Sequence, residues 1–266
     1  MIFRNTERDT ERMSFEDFAL KVLNEDLGLE AEKIDEGQDE TPDFIALDGN
    51  YIYYIELKER DSSEEYLRER ELAFGSDDVY SSTVSLEKCR NTSKVINKAK
   101  NQLKAESAPE EIRIVWLHAH GSQREALVEK FLCTLYGKAD IYDWAEGRYD
   151  NKDCYYFDHS DFFRYRDSID GAIISLEGGM AFAINNFSPK YDILLESEFT
   201  RGFSKSSLIN PIQLESEGKV WLIDCDLDRK DEDTLLNFLI DKYSLGKPRR
   251  IVMQQAMVEF SIPHKN

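Results

Sequence analysis

Asp43, Glu56 and Lys58 are the residues whose types and spacing could do chemistry together. They bracket the stretch Thr-Pro-Asp-Phe-Ile-Ala-Leu-Asp-Gly-Asn-Tyr-Ile-Tyr-Tyr-Ile-Glu-Leu-Lys, residues 41–58. Two apolar, strand-like runs flank an Asp-Gly-Asn turn. With Gly49 and Asn50 as the central residues of a tight hairpin, Asp48 faces Tyr51, and counting back opposes 47 to 52, 45 to 54 and Asp43 to Glu56. Directly opposed residues point to one face with Cβ atoms roughly 5 Å apart. Two carboxylates at that separation can share one hard cation, and Mg²⁺ takes oxygen ligands at about 2.1 Å. Lys58 lies on the same face, roughly 7 Å further along the strand.

The elements that hold these groups can be read outward from the hairpin. Tyr54 and Ile52 precede Glu56 on its face, while Tyr53, Ile55 and Leu57 line the other. A strand apolar on both sides is covered on both sides, as in the middle of an α/β sheet. Pro42, lacking an N–H, is tolerated at the start of its strand. Ser14 and Asp17 form a capping-box signature, and Phe15, Phe18, Val22 and Leu23 recur at helical spacing, predicting a helix over 15–27 that stops at Gly28. A short strand is expected over 30–36 and a charged helical or mobile insertion over 59–72. Residues 73–85, rich in Ser, Asp and Gly, are expected to be loop. Val95, Ile96, Ala99 and Leu103 predict an amphipathic helix, followed by a buried strand over 112–118 and a helix over 123–136 ending at Gly137.

This pattern resembles the PD-(D/E)XK nuclease superfamily. Pro42-Asp43, a gap, then Glu56-Leu57-Lys58 match its motif, and the layout over roughly residues 14–104 is similar to archaeal Holliday-junction resolvases and restriction endonucleases. The resemblance implies that Asp43 and Glu56 bind Mg²⁺, with Mn²⁺ able to substitute, and that the Leu57 carbonyl joins the metal shell. It also implies that Lys58 positions or activates the attacking water. A further acid often stands on the first helix within a Phe-Glu pair, which Phe15-Glu16 matches. Glu25, Glu11 or no residue are the alternatives, since a Glu in a first helical turn is stabilised by the helix dipole anyway. The helix after the Glu-x-Lys strand often supplies Gln or Lys, here Gln102 or Lys98. The expected fold is α/β: a restriction-endonuclease-like mixed sheet flanked by helices over 1–140, with an α+β C-terminal region over 141–266 that either extends the sheet or forms a second lobe.

Charge argues against a nucleic-acid enzyme until its distribution is considered. The chain has 266 residues with a formal net charge of −19, and a uniformly acidic body would repel phosphate. Between Glu87 and Lys104, however, six basic residues face one acid. Arg90, Lys94, Lys98 and Gln102 are therefore the candidate nucleic-acid contacts, against the plainer reading of a solvated helix face. Four cysteines without a CxxC pair suit reduced thiols in a cytoplasmic protein, and no apolar run reaches membrane length. His118 and His120 share a strand face but lack acidic or Cys partners at zinc-ligand spacing. Asp224, Asp226 and Asp228 alternate, but Arg229 and Leu235 stand where a calcium loop needs Gly and Glu.

In the C-terminal region, strands are expected over 171–176, 180–185, 219–224 and 250–260, with a helix over 232–243. The leading expectation is a Mg²⁺-dependent endonuclease, DNA ahead of RNA, in restriction, repair or defence. The competing one is a nuclease-like scaffold that binds a protein partner or nucleic acid without cutting. A third is that the acidic body docks on a motor or DNA-binding subunit that delivers substrate, with cleavage only in the complex; a homo-oligomer is the other partner to expect.

Overall fold

The computed structural model describes residues 14–35, 41–76, 78–103, 108–145 and 148–260. It is a mixed α/β architecture: a large mixed sheet with helices on its faces. The large sheet has seven strands in the order β1-β2-β3-β5-β8-β9-β10, where β1 is Glu30–Lys33, β2 Phe44–Leu47, β3 Ile52–Arg60, β5 Glu111–Ala119, β8 Gly171–Leu176, β9 Gly179–Ile184 and β10 Leu208–Ile209. β2 runs antiparallel to both its neighbours, β1 and β3; β3, β5 and β8 run parallel, β9 turns back, and β10 runs parallel to β9. The sheet thus crosses residue 140, and three strands from the C-terminal region extend it.

Two apolar layers sandwich this sheet, and the period of two along each strand assigns side chains to them. On one face α1 (Phe15–Lys21) and the turn after it contribute Ala19, Val22 and Leu23, which pack with Tyr53, Ile55, Leu57, Ile114 and Trp116. On the other face α3 (Arg90–Gln102) and α4 (Arg124–Tyr136) contribute Ile96, Ala99, Phe131 and Leu135, which pack with Val115, Leu117 and Ile174. Tyr54 packs into this second layer, so α3 covers the sheet face on which Glu56 and Lys58 stand.

The local chemistry explains most boundaries. Ser14 caps α1 by accepting from the Asp17 N–H. The predicted helix over 15–27 is α-helical only to Lys21, and Val22–Asp26 continues as a π-helical turn. There Leu27 N–H reaches back five residues to the Val22 carbonyl. α4 ends at Gly137, whose φ of 61° is left-handed; a Cβ there would run into the Asp158 carbonyl.

Two further expectations needed revision. Residues 73–85 are not all loop: α2 spans Glu64–Gly75, and Tyr80–Ser85 is a strand, β4. The single strand expected over 250–260 is two, β12 (Pro248–Ile251) and β13 (Gln254–Glu259), serving different sheets. β13 pairs with β4 alone. β12 edges a four-stranded sheet with β6 (Ala139–Ala145), β7 (Arg148–Tyr155) and β11 (Trp221–Leu222), in the order β11-β7-β6-β12. The helix over Glu232–Tyr243 packs Leu235 and Leu239 against that sheet through Ile141 and Trp221. Among the described residues no helix is long and apolar enough to cross a membrane.

Candidate metal and phosphate site

The hairpin register is the one the turn dictates. Phe44 pairs with Ile55, Ile45 with Tyr54, Ala46 with Tyr53 and Leu47 with Ile52, and one further step opposes Asp43 to Glu56. Gly49, at φ 87°, makes the turn without steric cost, and the Asp48 carboxylate accepts from the N–H groups of Asn50 and Tyr51. Regular pairing of β2 with β3 stops at Phe44–Ile55, and the next N–H on that edge of β3, that of Leu57, donates to Asp43 Oδ2 at 2.6 Å. This bond fixes the carboxylate over the end of the ladder. The Leu57 carbonyl leaves β3 on the same edge as its N–H, beside Asp43.

Glu56 is fully buried. Its Oε1 is ion-paired with the Lys58 ammonium, whereas its buried Oε2 meets no donor, and the Asp43 carboxyl lies within hydrogen-bonding reach of the Glu56 carboxyl. Burial pushes the Glu56 carboxyl up to about 7; the Lys58 ammonium works against that shift and the nearby Asp43 charge adds to it. Asp43 is also raised, chiefly by burial, with the Leu57 N–H and Lys58 opposing and Glu16 contributing. An acid sealed from water with one oxygen unspent beside a second acid is a site short of positive charge.

Glu16 stands in the first turn of α1 and is ion-paired with Lys33 of β1. Its charge is felt at Asp43, so it lies toward the site, but its carboxylate is held by a lysine. Of the alternatives, Glu25 is exposed and lies 3.8 Å from Lys21, while Glu11 falls outside the described residues. Among the described residues no group of three His, Cys, Asp or Glu side chains is arranged to hold a metal ion. The donor set on offer is therefore Asp43, Glu56 and the Leu57 carbonyl. Two carboxylates plus water suit Mg²⁺, which keeps much of its hydration. Lys33 was not foreseen as part of the surroundings, because the short strand 30–36 carries no motif.

α3 presents Arg90, Lys94 and Lys98 to solvent, and none of them has an ion pair among the described residues. Elsewhere the chain's cations are largely spent on acids, as with Lys88, Lys138, Lys242 and Arg250. Gln102, on the last turn of α3, is half-buried rather than a surface amide, and its Oε1 has no partner. The chain leaves that turn for Glu111, which pairs with Ile52, so Gln102 lies toward the start of β3 and Arg90 toward the Lys58 end. Lys104 falls outside the described residues.

The imidazoles of His118 and His120 meet edge to face at 4.2 Å, but each has a structural role. His118 Nδ1 lies 2.7 Å from Ser175 Oγ, which also accepts from Trp116 Nε1, and burial lowers its pKa to about 4. His120 pairs with Glu59. Asp224 pairs with Lys242, and Asp228 accepts from the Lys230 N–H, as befits a polar turn.

Comparison with protein-family models, with curated proteins and with solved structures returns no match for this chain.

Proposed function

We propose that this protein is a Mg²⁺-dependent endonuclease with a restriction-endonuclease-like core, acting on DNA ahead of RNA. One observation carries the reading: the buried, unpartnered Glu56 Oε2 stands opposite Asp43 with Lys58 on the same face. Asp43, Glu56 and the Leu57 carbonyl would hold the cation. Bound there, Mg²⁺ would offset phosphate charge and bring the pKa of a water toward neutrality.

The chain's own groups supply the rest. Leu57 N–H holds Asp43 in one orientation, so the acid need not reorganise to act. Lys58, two residues along the same face, is the cation ion-paired with Glu56. Its ammonium can donate to the attacking water and stabilise the negative charge that develops on phosphate. Arg90, Lys94 and Lys98, free of acidic partners among the described residues, hold the sugar-phosphate backbone by charge and carry little sequence information. A delivery subunit or a second copy can bring substrate to an otherwise acidic body.

Incubating the purified protein with plasmid and Mg²⁺ or Mn²⁺, beside Asp43→Asn, Glu56→Gln and Lys58→Ala, tests this. Cleavage by the wild type alone is the expected result; equal nicking by all four would reject the assignment. The Lys58–Glu56 ion pair favours a second reading, a nuclease-like scaffold whose lysine already neutralises the acid. Manganese binding lost in Asp43→Asn rejects the scaffold, and no binding by the wild type supports it.

A further inference from the structure

Away from the hairpin, a cavity of about 590 Å³ opens between the start of α3, residues 156–164 and residues 226–229. Its floor holds a second acid with an unspent oxygen. Asp161, the first residue of the short helix α5 (Asp161–Arg164), is 1% exposed. Its Oδ2 accepts from Ser93 Oγ at 2.5 Å, while Oδ1 has no hydrogen-bond partner. Lys88 Nζ lies 3.7 Å from that oxygen and donates instead to the His159 carbonyl. The floor therefore offers an acceptor beside a cation, which suits a ligand edge with an N–H next to a lone pair.

The walls limit what can enter. Phe163 and Tyr156 are the aromatic members, and Tyr156 holds φ 60°, a left-handed conformation that costs a non-glycine residue of order 1 kcal/mol or more. It is pinned there by its N–H to the Tyr136 carbonyl and by its hydroxyl to Asn186. Lys88, Arg164 and Arg229 share the lining with Asp158, Asp161, Asp226 and Asp228, and the Arg229 guanidinium is spent on the Cys225 and Leu227 carbonyls. With four acids in the lining against three cations, the cleft is not a trap for free phosphate; it suits an uncharged ring. The unpaired cations of α3 begin two residues after Lys88, so a phosphate track passes the mouth.

We propose that this cleft takes a nucleobase swung out of a nucleic-acid strand, with Asp161 Oδ1 accepting a base N–H and Phe163 lying against the ring. The inference rests on the nucleic-acid reading above for the strand that delivers the base, and not on cleavage. Unstacking is cheap in a single strand and costly in a duplex, so the cleft selects unpaired or distorted substrate.

Binding measured without Mg²⁺ tests it, using a single-stranded oligonucleotide carrying 2-aminopurine, the same sequence as a duplex, and free adenosine. The expected result is tighter binding of the single strand, altered 2-aminopurine fluorescence, and roughly tenfold weaker binding in Phe163→Ala. Asp161→Asn should weaken binding as well. A thermal melt shows that each variant is folded, and Phe163, being only half-buried, keeps the test open if the Asp161 variant is not. Equal affinity for strand and duplex, unchanged affinity in Phe163→Ala, binding of adenosine without binding of the strand, or no binding at all would each overturn the proposal. A protein that binds in this way and never cuts overturns the nuclease reading alone; one that cuts while binding independently of Phe163 overturns this inference alone.

Discussion

Lys138 and Lys58 each stand among carboxylates, and the two clusters resolve their charge differently. At Lys138, Glu129 and Asp153 both contact the ammonium, which is 10% exposed, and Asp140 stands close by with its carboxyl raised to about 6 by burial and by Asp153. The two acids drive the Lys138 pKa up despite its burial. At the hairpin, Lys58 satisfies one oxygen of Glu56 and leaves the other buried and unpaired, with Asp43 alongside. The first cluster has its cation built in. The second is short of one, and that shortage, rather than the count of acids, separates a candidate site from a structural ion-pair network.

The sharpest break in the comparison is in activity. Asp43→Asn or Glu56→Gln should reduce plasmid cleavage by roughly a hundredfold or more, read as initial nicking rate, while Lys138→Met leaves the rate per folded molecule unchanged. The order inverts in stability. Lys138→Met strands two partly buried acids and should cost about 3 kcal/mol in urea unfolding.

Glu56→Gln should instead stabilise the metal-free protein. A carboxyl raised from 4.5 to about 7 on folding means that the folded state holds more protons between those values. The stability Glu56 contributes is thus full below about 4.5 and is lost as pH rises through 7. Melting curves at pH 8 and pH 5 should show a gain of up to about 3 kcal/mol for Glu56→Gln at pH 8 and less than about 1 kcal/mol at pH 5. Asp140→Asn should show the same sign with a smaller gain. If both variants behave alike, the distinction between the two clusters falls. The smallest effect is electrostatic: Lys94→Ala and Lys98→Ala should each lower the salt dependence of nucleic-acid binding by about one unit of slope, weakening all sequences alike.

The hairpin was legible because its turn residues fix the register and a period of two then places every side chain. A slip of one residue would put Asp43 and Glu56 on opposite faces. The helix over 232–243 was legible for similar local reasons, since Asp231 caps it through Thr234. β4 was not. Tyr-Ser-Ser-Thr-Val-Ser reads as loop, and it becomes a strand only because a distant segment pairs with it. The break at 252–253, which sends β12 and β13 to different sheets, has no local signal either. At the site, residue types located Asp43, Glu56 and Lys58, but the unspent oxygen of Glu56 and the grip of Lys33 on Glu16 depend on packing that no spacing rule encodes.

The β4–β13 pair also bears on the order of events during synthesis. β4 and α2 belong to the insertion that follows Lys58, and their partners come late: the whole of β13, and Glu259, which binds Arg70 across 189 positions. A two-stranded ribbon has little stability by itself. On the ribosome the hairpin, its acids and the basic helix can therefore assemble long before the insertion beside them is tied down. The nascent chain would carry an assembled site next to an unclamped flap until residue 259 emerges.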